Sequence, residues 1–391
     1  MVPNLRFSFE EDWCTSTIGE NFRLSSGLTP STKEKAYFNN GIIPWINSGE
    51  LKNKYISFTE NKLTLDAVKK HNLTIYPMDT MVIAIYGLEA AGVRGKASIT
   101  KMDSTISQSC MAFNSLGNVL TQFMYYVYKK EAQILGTRYA QGTKQQNLSS
   151  DLLSSYKLLY PSKEEQLKIV NFLSLIDEKI ETQSKIIELK QSLIKDIEDR
   201  ILWKTTNAQT KPIREFLTEI NDKSIIQNQY PLLSSTKKGL FLQTDYFNKE
   251  AASSNNIGYK IVHKGDIIIS PQNLWMGNIT YNDKFDNGLV SPSYRIYKVK
   301  EEYNAFYISR IMMSYRALSL YKNISEQGAS IVRRNLNVDA FNELCFPIPN
   351  IKKQDEVGLF LSKLHQELKC ETWILMQLKN QKNYLLNKMF I

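Results

Sequence analysis

The chain is short of the residues that most enzymes and metal proteins depend on. Among 391 residues there are three histidines (His71, His263, His365) and four cysteines (Cys14, Cys110, Cys345, Cys370). No two of these seven stand within four positions of each other, so neither CxxC nor HxxxH spacing occurs and a zinc site is not expected. The cysteines read as buried apolar residues of a reducing compartment. A Gly-x4-Gly-Lys phosphate loop is missing, because Ala90 stands where the first glycine before Gly95-Lys96 should be. No GxGxxG, no Gly-x-Ser-x-Gly elbow and no Asp/Asn-Pro-Pro-aromatic segment of amino-methyltransferases is present. Acidic residues such as Glu10, Glu11 and Asp12 read as surface charge. Long apolar runs are absent too: the stretch around Met81–Val93 is too short to span a bilayer and contains Glu89. The opening MVPNLRFSFEEDW is too polar for a secretory signal. A soluble, cytoplasmic, non-catalytic protein is expected.

What is present appears twice. Gln141-Gly142 recurs as Gln327-Gly328 at an offset of 186, Asp79 as Asp266 at 187, and Asn147-Leu148, Gln166 and Phe172-Leu173 recur at 188. Each copy is a mixed globular part followed by a periodic polar segment. Pro161 precedes the first such segment, Ser162 and Glu165 form a capping-box pattern, and neither Gly nor Pro interrupts Lys163 to Lys204. From Ile169 to Ile201 a series spaced by alternating fours and threes is apolar at eight of ten positions, and adding 188 gives Val357 to Met389 with the same count. That is a coiled-coil seam. Each helix should run about 60 Å, and two in-phase seams in one chain favour an antiparallel intramolecular pair with a globular part at each end. Core helices of two separate domains, or a homodimer seam, are the alternatives. Gln183 and Glu371, midway along the seams, are candidates for a register-setting polar contact. The domain plan is 1–160, helix 161–205, 206–350, helix 351–391.

Net charge is +10, with +4 on residues 1–160, +3 on 212–350, −1 on 163–204, +3 on 352–391 and the last +1 on Lys211. Such mild basicity, shared by two parts, suits two surfaces that each touch a few phosphates. Thr80–Tyr86, Asp266–Ser270 and Arg295–Val299 read as strands; Leu120–Lys130 and Ala305–Tyr321 read as helices whose aromatics face a core.

Three pairs of loops have base-reading chemistry. The first is RYAQGTKQQN, with Arg138, Tyr139, Gln141, Lys144, Gln145 and Gln146, against SEQGASIVRRN, with Gln327, Arg333 and Arg334. Gln and Asn can pair with adenine and Arg with guanine, while Lys144 or Arg333 could hold phosphate. The second is YGLEAAGVRGK, with Tyr86, Arg94 and Lys96, against PQNLWMG, with Gln272, Asn273 and Trp275. The third sets Ser107-Gln108-Ser109 against SPSYR, with Tyr294 and Arg295. For any one of these residues the alternative is an ordinary solvated loop side chain. Asn147 and Asn335 could instead cap the next element.

Taken in order, these motifs resemble the specificity subunits of type I restriction-modification systems. The carriers are Val2-Pro-Asn-Leu-Arg-Phe with Asp12-Trp13 and Ile18-Gly19-Glu20, then Gly142 to Ser149 (GTKQQNLS), then Tyr160-Pro161 through Gln166 to Asp177-Glu-Lys-Ile180, and finally Phe346-Pro-Ile-Pro349 through Gln354 to Phe360-Leu361. The resemblance implies an α/β fold with two target-recognition domains separated by two long antiparallel helices. It implies that each domain reads half of a bipartite double-stranded DNA target while the helices set the gap and dock two modification (methyltransferase) subunits. Those would use S-adenosylmethionine to methylate adenine, and restriction subunits would use ATP and Mg for translocation and cleavage in phage defence. This chain would bind no cofactor, no metal and no membrane. Because the second copy lacks GTKQQ, the two half-sites should differ. A stand-alone DNA-binding protein, a coiled-coil scaffold and an enzyme with a degenerate motif are the rival readings.

Overall fold

The computed structural model describes residues 2–88, 90, 92–139, 147–237, 239–246, 255–327 and 334–391, with side chains at 138, 139, 246 and 327 left out. The chain divides into two compact units, Met1–Gln183 with Ile374–Ile391, and Ser184–Trp373.

The first unit is built on a five-stranded sheet ordered Phe22–Ser26, Cys110–Ser115, Met81–Ala84, Ala97–Thr100, Tyr55–Ile56. Met81–Ala84 is central and buried at all four positions, which is why it reads as a continuous apolar run rather than an alternating one. Helix Thr121–Ile134 packs on it, burying Phe123, Met124, Tyr125, Tyr126 and Tyr128. The second unit has a four-stranded sheet ordered Leu217–Ile220, Arg295–Val299, Ile267–Ile269, Ile279–Tyr281. The helix expected over Ala305–Tyr321 is two, Ala305–Met312 and Tyr315–Asn323, because buried Ser314 caps the second by accepting from Ala317 N. That cap redirects the chain where the aromatic periodicity alone continues.

The two long helices are Lys163–Trp203, 41 residues, and Ile351–Met389, 39 residues. Every seam position from Ile169 to Ile201 and from Val357 to Met389 is buried or half-buried. In the first unit Asp177 meets Lys382 at 2.5 Å, and Leu385, Leu386, Met389 and Phe390 join the core that holds Ile169, Val170 and Leu173. In the second, Lys190 meets Glu371 at 2.7 Å and Glu198 meets His365 at 2.8 Å, so the segments run antiparallel. Glu371 is thus engaged by Lys190, while Gln183 is buried.

The repeat is visible in bonding as well as in sequence. Gln166 and Gln354 are buried amides at the start of each long helix. Gln166 Oε1 accepts from Leu120 N at 2.8 Å and its Nε2 donates to Pro161 O at 2.9 Å. Gln354 Oε1 accepts from Asn304 N at 3.0 Å and its Nε2 donates to Pro349 O at 2.8 Å. In each copy one glutamine ties the helix to the strand before it and to the first turn of the helix on the sheet.

Several local expectations are corrected. Glu165 does not complete a capping box; its buried carboxylate receives Arg6 at 2.8 and 2.7 Å and Trp13 Nε1 at 3.4 Å. The opening segment therefore anchors the first helix. Asp79 and Asp266 are not equivalent: the left-handed turn residues before the central strands are Asp79 (φ 62°) and Gly265 (φ 94°), while Asp266 accepts from His263 N at 2.7 Å. Of the cysteines only Cys110 is buried; Cys14, Cys345 and Cys370 are exposed.

Candidate nucleic-acid interface

In the first unit the strand Met81–Ala84 leads into the loop that carries Tyr86, Arg94 and Lys96. Ile85 N donates to Ser109 O and Ile85 O accepts from Leu148 N, both at 3.0 Å. These two bonds bring Ser109 and Leu148 to Ile85, at the start of the loop that follows the central strand. Tyr86 is 37% exposed at the edge. Arg94 acts as a strut: its Nε donates to Leu88 O at 2.6 Å, and its stem lies over Gly136, where an added Cβ would stand 2.9 Å from Arg94 Cγ. Any larger residue at 136 displaces that stem. Lys96 is half-buried, and its carbonyl accepts from Ala84 N at 3.0 Å.

Beneath this loop lies a buried cationic network. Lys129 Nζ donates to Gly95 O at 2.6 Å, and Lys54 Nζ donates to Tyr126 OH and Ser174 Oγ, both at 2.8 Å. Burial pushes the Lys54 ammonium down to about 8, partly opposed by Asp177, and burial with the charge of Lys382 pushes Lys129 down to about 8. Unfolded lysines titrate near 10.4, so between those values the unfolded chain holds more protons and stability rises with pH. The melting temperature of the first unit is expected to climb from about pH 8 to about pH 10, and Lys54→Met with Lys129→Met to flatten that climb. An unchanged slope in the double variant rules the network out as its source.

In the second unit the corresponding loop is a tight one. Ser270 N donates to Asn278 O, a short 3-10 turn covers Leu274–Met276, and Gly277 (φ 90°) closes it. Gln272 O accepts from Arg334 N at 3.2 Å, two residues before Leu336, the position that matches Leu148. The Arg334 guanidinium lies 4.5 Å from the centre of the Trp275 ring, a stacked cation–π contact. Its Nε and the Trp275 Nε1 are buried with no hydrogen-bond partner among the described residues, and its Nη1 reaches Ser325 O only at 3.5 Å. A stacked, fork-shaped donor with unused capacity beside a loop edge is suited to a bidentate acceptor.

The other predicted residues divide. Gln272, Asn273, Trp275 and Arg334 come together, and Gln327 pairs in register with Arg334. Arg295 stands in its strand opposite Ile269 and is ion-paired with Glu219, which raises its pKa despite burial. Tyr294 OH donates to Ser235 O at 3.3 Å, and burial raises its pKa. The serine pairs repeat: Ser107 and Ser109 hydroxyls lie 2.8 Å apart, and Ser291 and Ser293 lie 3.0 Å apart. Gln141, Lys144, Gln145, Gln146 and Arg333 lie outside the described residues, as do the side chains of Arg138, Tyr139 and Gln327. Sequence reasoning missed Glu219 and Ser325. Their roles come from strand pairing, and nothing in their own neighbourhood signals it.

Among the described residues no cluster of three His, Cys, Asp or Glu side chains is arranged to hold a metal ion, and no helix is long and apolar enough to cross a membrane.

Part of the chain is similar to known proteins. The type I restriction modification DNA specificity domain matches residues 10–191. The chain is 31% identical over 190 residues to the type I restriction enzyme MjaIX specificity subunit of Methanocaldococcus jannaschii, covering 47% of this chain and 42% of that protein. It is 27% identical over 169 residues to the EcoR124I/EcoR124II specificity subunit of Escherichia coli, covering 43% of this chain and 41% of that protein. The matched region thus spans about two fifths of the length of these relatives. The crystal structure of a type I restriction-modification S subunit from M. genitalium is alike in fold, with a TM-score of 0.58 at 17% identity, covering 100% of this chain and 99% of that one. The similarity to the type I restriction modification DNA specificity domain thus lies in residues 10–191 of this chain.

Proposed function

We propose that this chain reads double-stranded DNA for a type I restriction-modification assembly. Each unit recognises one half of a bipartite, asymmetric target, and the long helices set the unread gap. The observation that carries this reading is that in each unit the loop after the central strand accepts a backbone bond from the segment that closes the recognition loop, Leu148 N to Ile85 O in one and Arg334 N to Gln272 O in the other. One scaffold thus presents different side chains in each unit, as two different half-sites require. The long helices are proposed to dock two modification subunits. That is supported by exposed apolar residues on them, among them Leu175, Leu189 and Leu193 on the first and Leu359, Trp373 and Met376 on the second. Adenine methylation with S-adenosylmethionine, and ATP- and Mg-dependent cleavage, belong on this proposal to the partner subunits.

Selection from random duplexes, with the modification partner present, tests the reading. The expected product is a two-part motif with a fixed gap; no enrichment sinks it. Exchanging residues 212–350 for those of another family member should alter one half only. Arg334→Ala is expected to weaken binding by about 1–3 kcal/mol and to relax preference at one position. A loss uniform over all sequences makes Arg334 a phosphate contact instead.

A further inference from the structure

Ile225, Ile226 and Ile257 are 78%, 63% and 52% exposed, an apolar group that needs a cause. The loop that carries them is rigidly built. Buried Asn256 and left-handed Asn228 (φ 55°) clamp each other: Asn228 N donates to Asn256 Oδ1 at 2.7 Å and Asn256 Nδ2 to Asn228 Oδ1 at 2.6 Å. Buried Ser224 donates its hydroxyl to Asn256 O at 2.7 Å, and Ile225 N donates to Gln229 Oε1 at 3.0 Å. Ser224 N to Tyr259 O at 2.8 Å and Gly258 N to Ser224 O at 2.9 Å join the two segments as a ribbon. These polar bonds fasten the backbone, and three branched aliphatic side chains stand exposed on the loop together with Gln227, Asn228 and Asn255.

The topology fixes where this prong stands. Strand Lys260–His263 turns at Gly265, and Ile267–Ile269 returns, so the residues before Lys260 and after Ile269 share one end of the second unit. Val290 pairs with Lys260, Arg295 with Ile269, and Ile220 with Ile296, which brings the segments after Val290, before Arg295 and after Ile220 to that same end. The isoleucines therefore share an end with Gln272, Trp275 and Tyr294. Exposed Lys223 stands beside them next to exposed Asp222, and its backbone bridges to buried Lys260. An aliphatic tip with exposed Lys223 at its root, at the same end as the stacked Arg334, suits a duplex that is apolar between the bases and anionic along the backbone.

We infer that the Ile225–Ile226–Ile257 prong is a wedge that enters the DNA duplex and opens a base step. The inference rests on the DNA-reading proposed above. Aliphatic wedges of this kind part stacked bases and kink the helix, and a rigid loop does so without ordering itself first. A step that parts easily, pyrimidine followed by purine, is the one it should favour.

The experiment uses the full chain with its modification partner and a duplex recovered by random selection, carrying 2-aminopurine at successive positions. Wild type should raise the emission several-fold at one step. Ile225→Ser with Ile226→Ser and Ile257→Ser should abolish that rise and weaken binding about tenfold, with unchanged melting and unchanged co-elution with the partner. Leucine at the three positions should keep the signal. Asn228→Ala, which leaves the isoleucines but frees the clamp, should reduce it. An unchanged rise in the serine variant overturns the wedge while DNA reading stands. Loss of the partner on gel filtration overturns it by making the prong a protein contact. A selection that enriches no duplex overturns both.

Discussion

Glu198→Ala is expected to lower the stability of the second unit by about 3–5 kcal/mol, the range for removing one partner of a buried pair. The Glu198 side chain is 8% exposed and receives Arg310 Nε at 2.6 Å, Arg310 Nη2 at 2.8 Å and a ring nitrogen of His365 at 2.8 Å. Arg310 cannot give up its charge, so the variant buries an unpaired guanidinium. Arg310→Met in the same background should restore a large part of the loss, because it removes the stranded cation; no recovery would place the cost in packing alone. Burial raises the Glu198 pKa, but the hydrogen bonds from His365 and Arg310 outweigh it and the net value is lowered. A carboxylate held below its unfolded pKa contributes stability that is complete above that pKa, about 4.3, and is lost as pH falls through the folded value. Acid unfolding of wild type should therefore begin below about pH 4 with a Glu198-dependent slope. The Ala variant should lack that slope.

Gln166→Ala and Gln354→Ala are expected to cost about 2–4 kcal/mol each, and to add when combined, since the two clamps share no partner. The loss exceeds one ordinary hydrogen bond because each glutamine satisfies a backbone N–H and a proline carbonyl that are otherwise without it. Leucine at either position should cost nearly as much, although it fills the space. Two separable denaturant transitions, each moved only by its own variant, would show that each clamp serves its own unit. A marked departure from additivity would show that the two are coupled.

The same glutamines show what a sequence reveals. Their recurrence at 188 marks them as equivalent, but identity says nothing of the amide geometry that makes them clamps. Helix length and seam were legible because burial along a helix is periodic, and each position of the series ended buried or half-buried. The central strand was legible because a strand covered on both faces is continuously apolar. Long-range pairs were not legible. Glu165 resembles an N-terminal capping residue by its spacing, yet its partner is Arg6, 159 residues away. Arg295 looks like a free reader until its strand is set beside Glu219. At the interface, Gln272, Asn273 and Trp275 could be grouped from one loop. That Arg334 is stacked on that loop depended on a strand pairing with no local trace.

The first unit is assembled from both ends of the sequence. Leu5 N donates to Lys388 O at 2.9 Å, and Trp13 and Phe123 pack on Phe390 at 6.4 and 5.3 Å between ring centres. The second unit is one uninterrupted stretch, Ser184–Trp373. On the ribosome the order of completion is thus reversed from the order of synthesis. The unit begun first must wait, with the apolar face of its early helix uncovered, until residues 385–390 emerge. The unit begun later can close before them. That interval is when nascent chains of this kind are most open to chaperones and to aggregation.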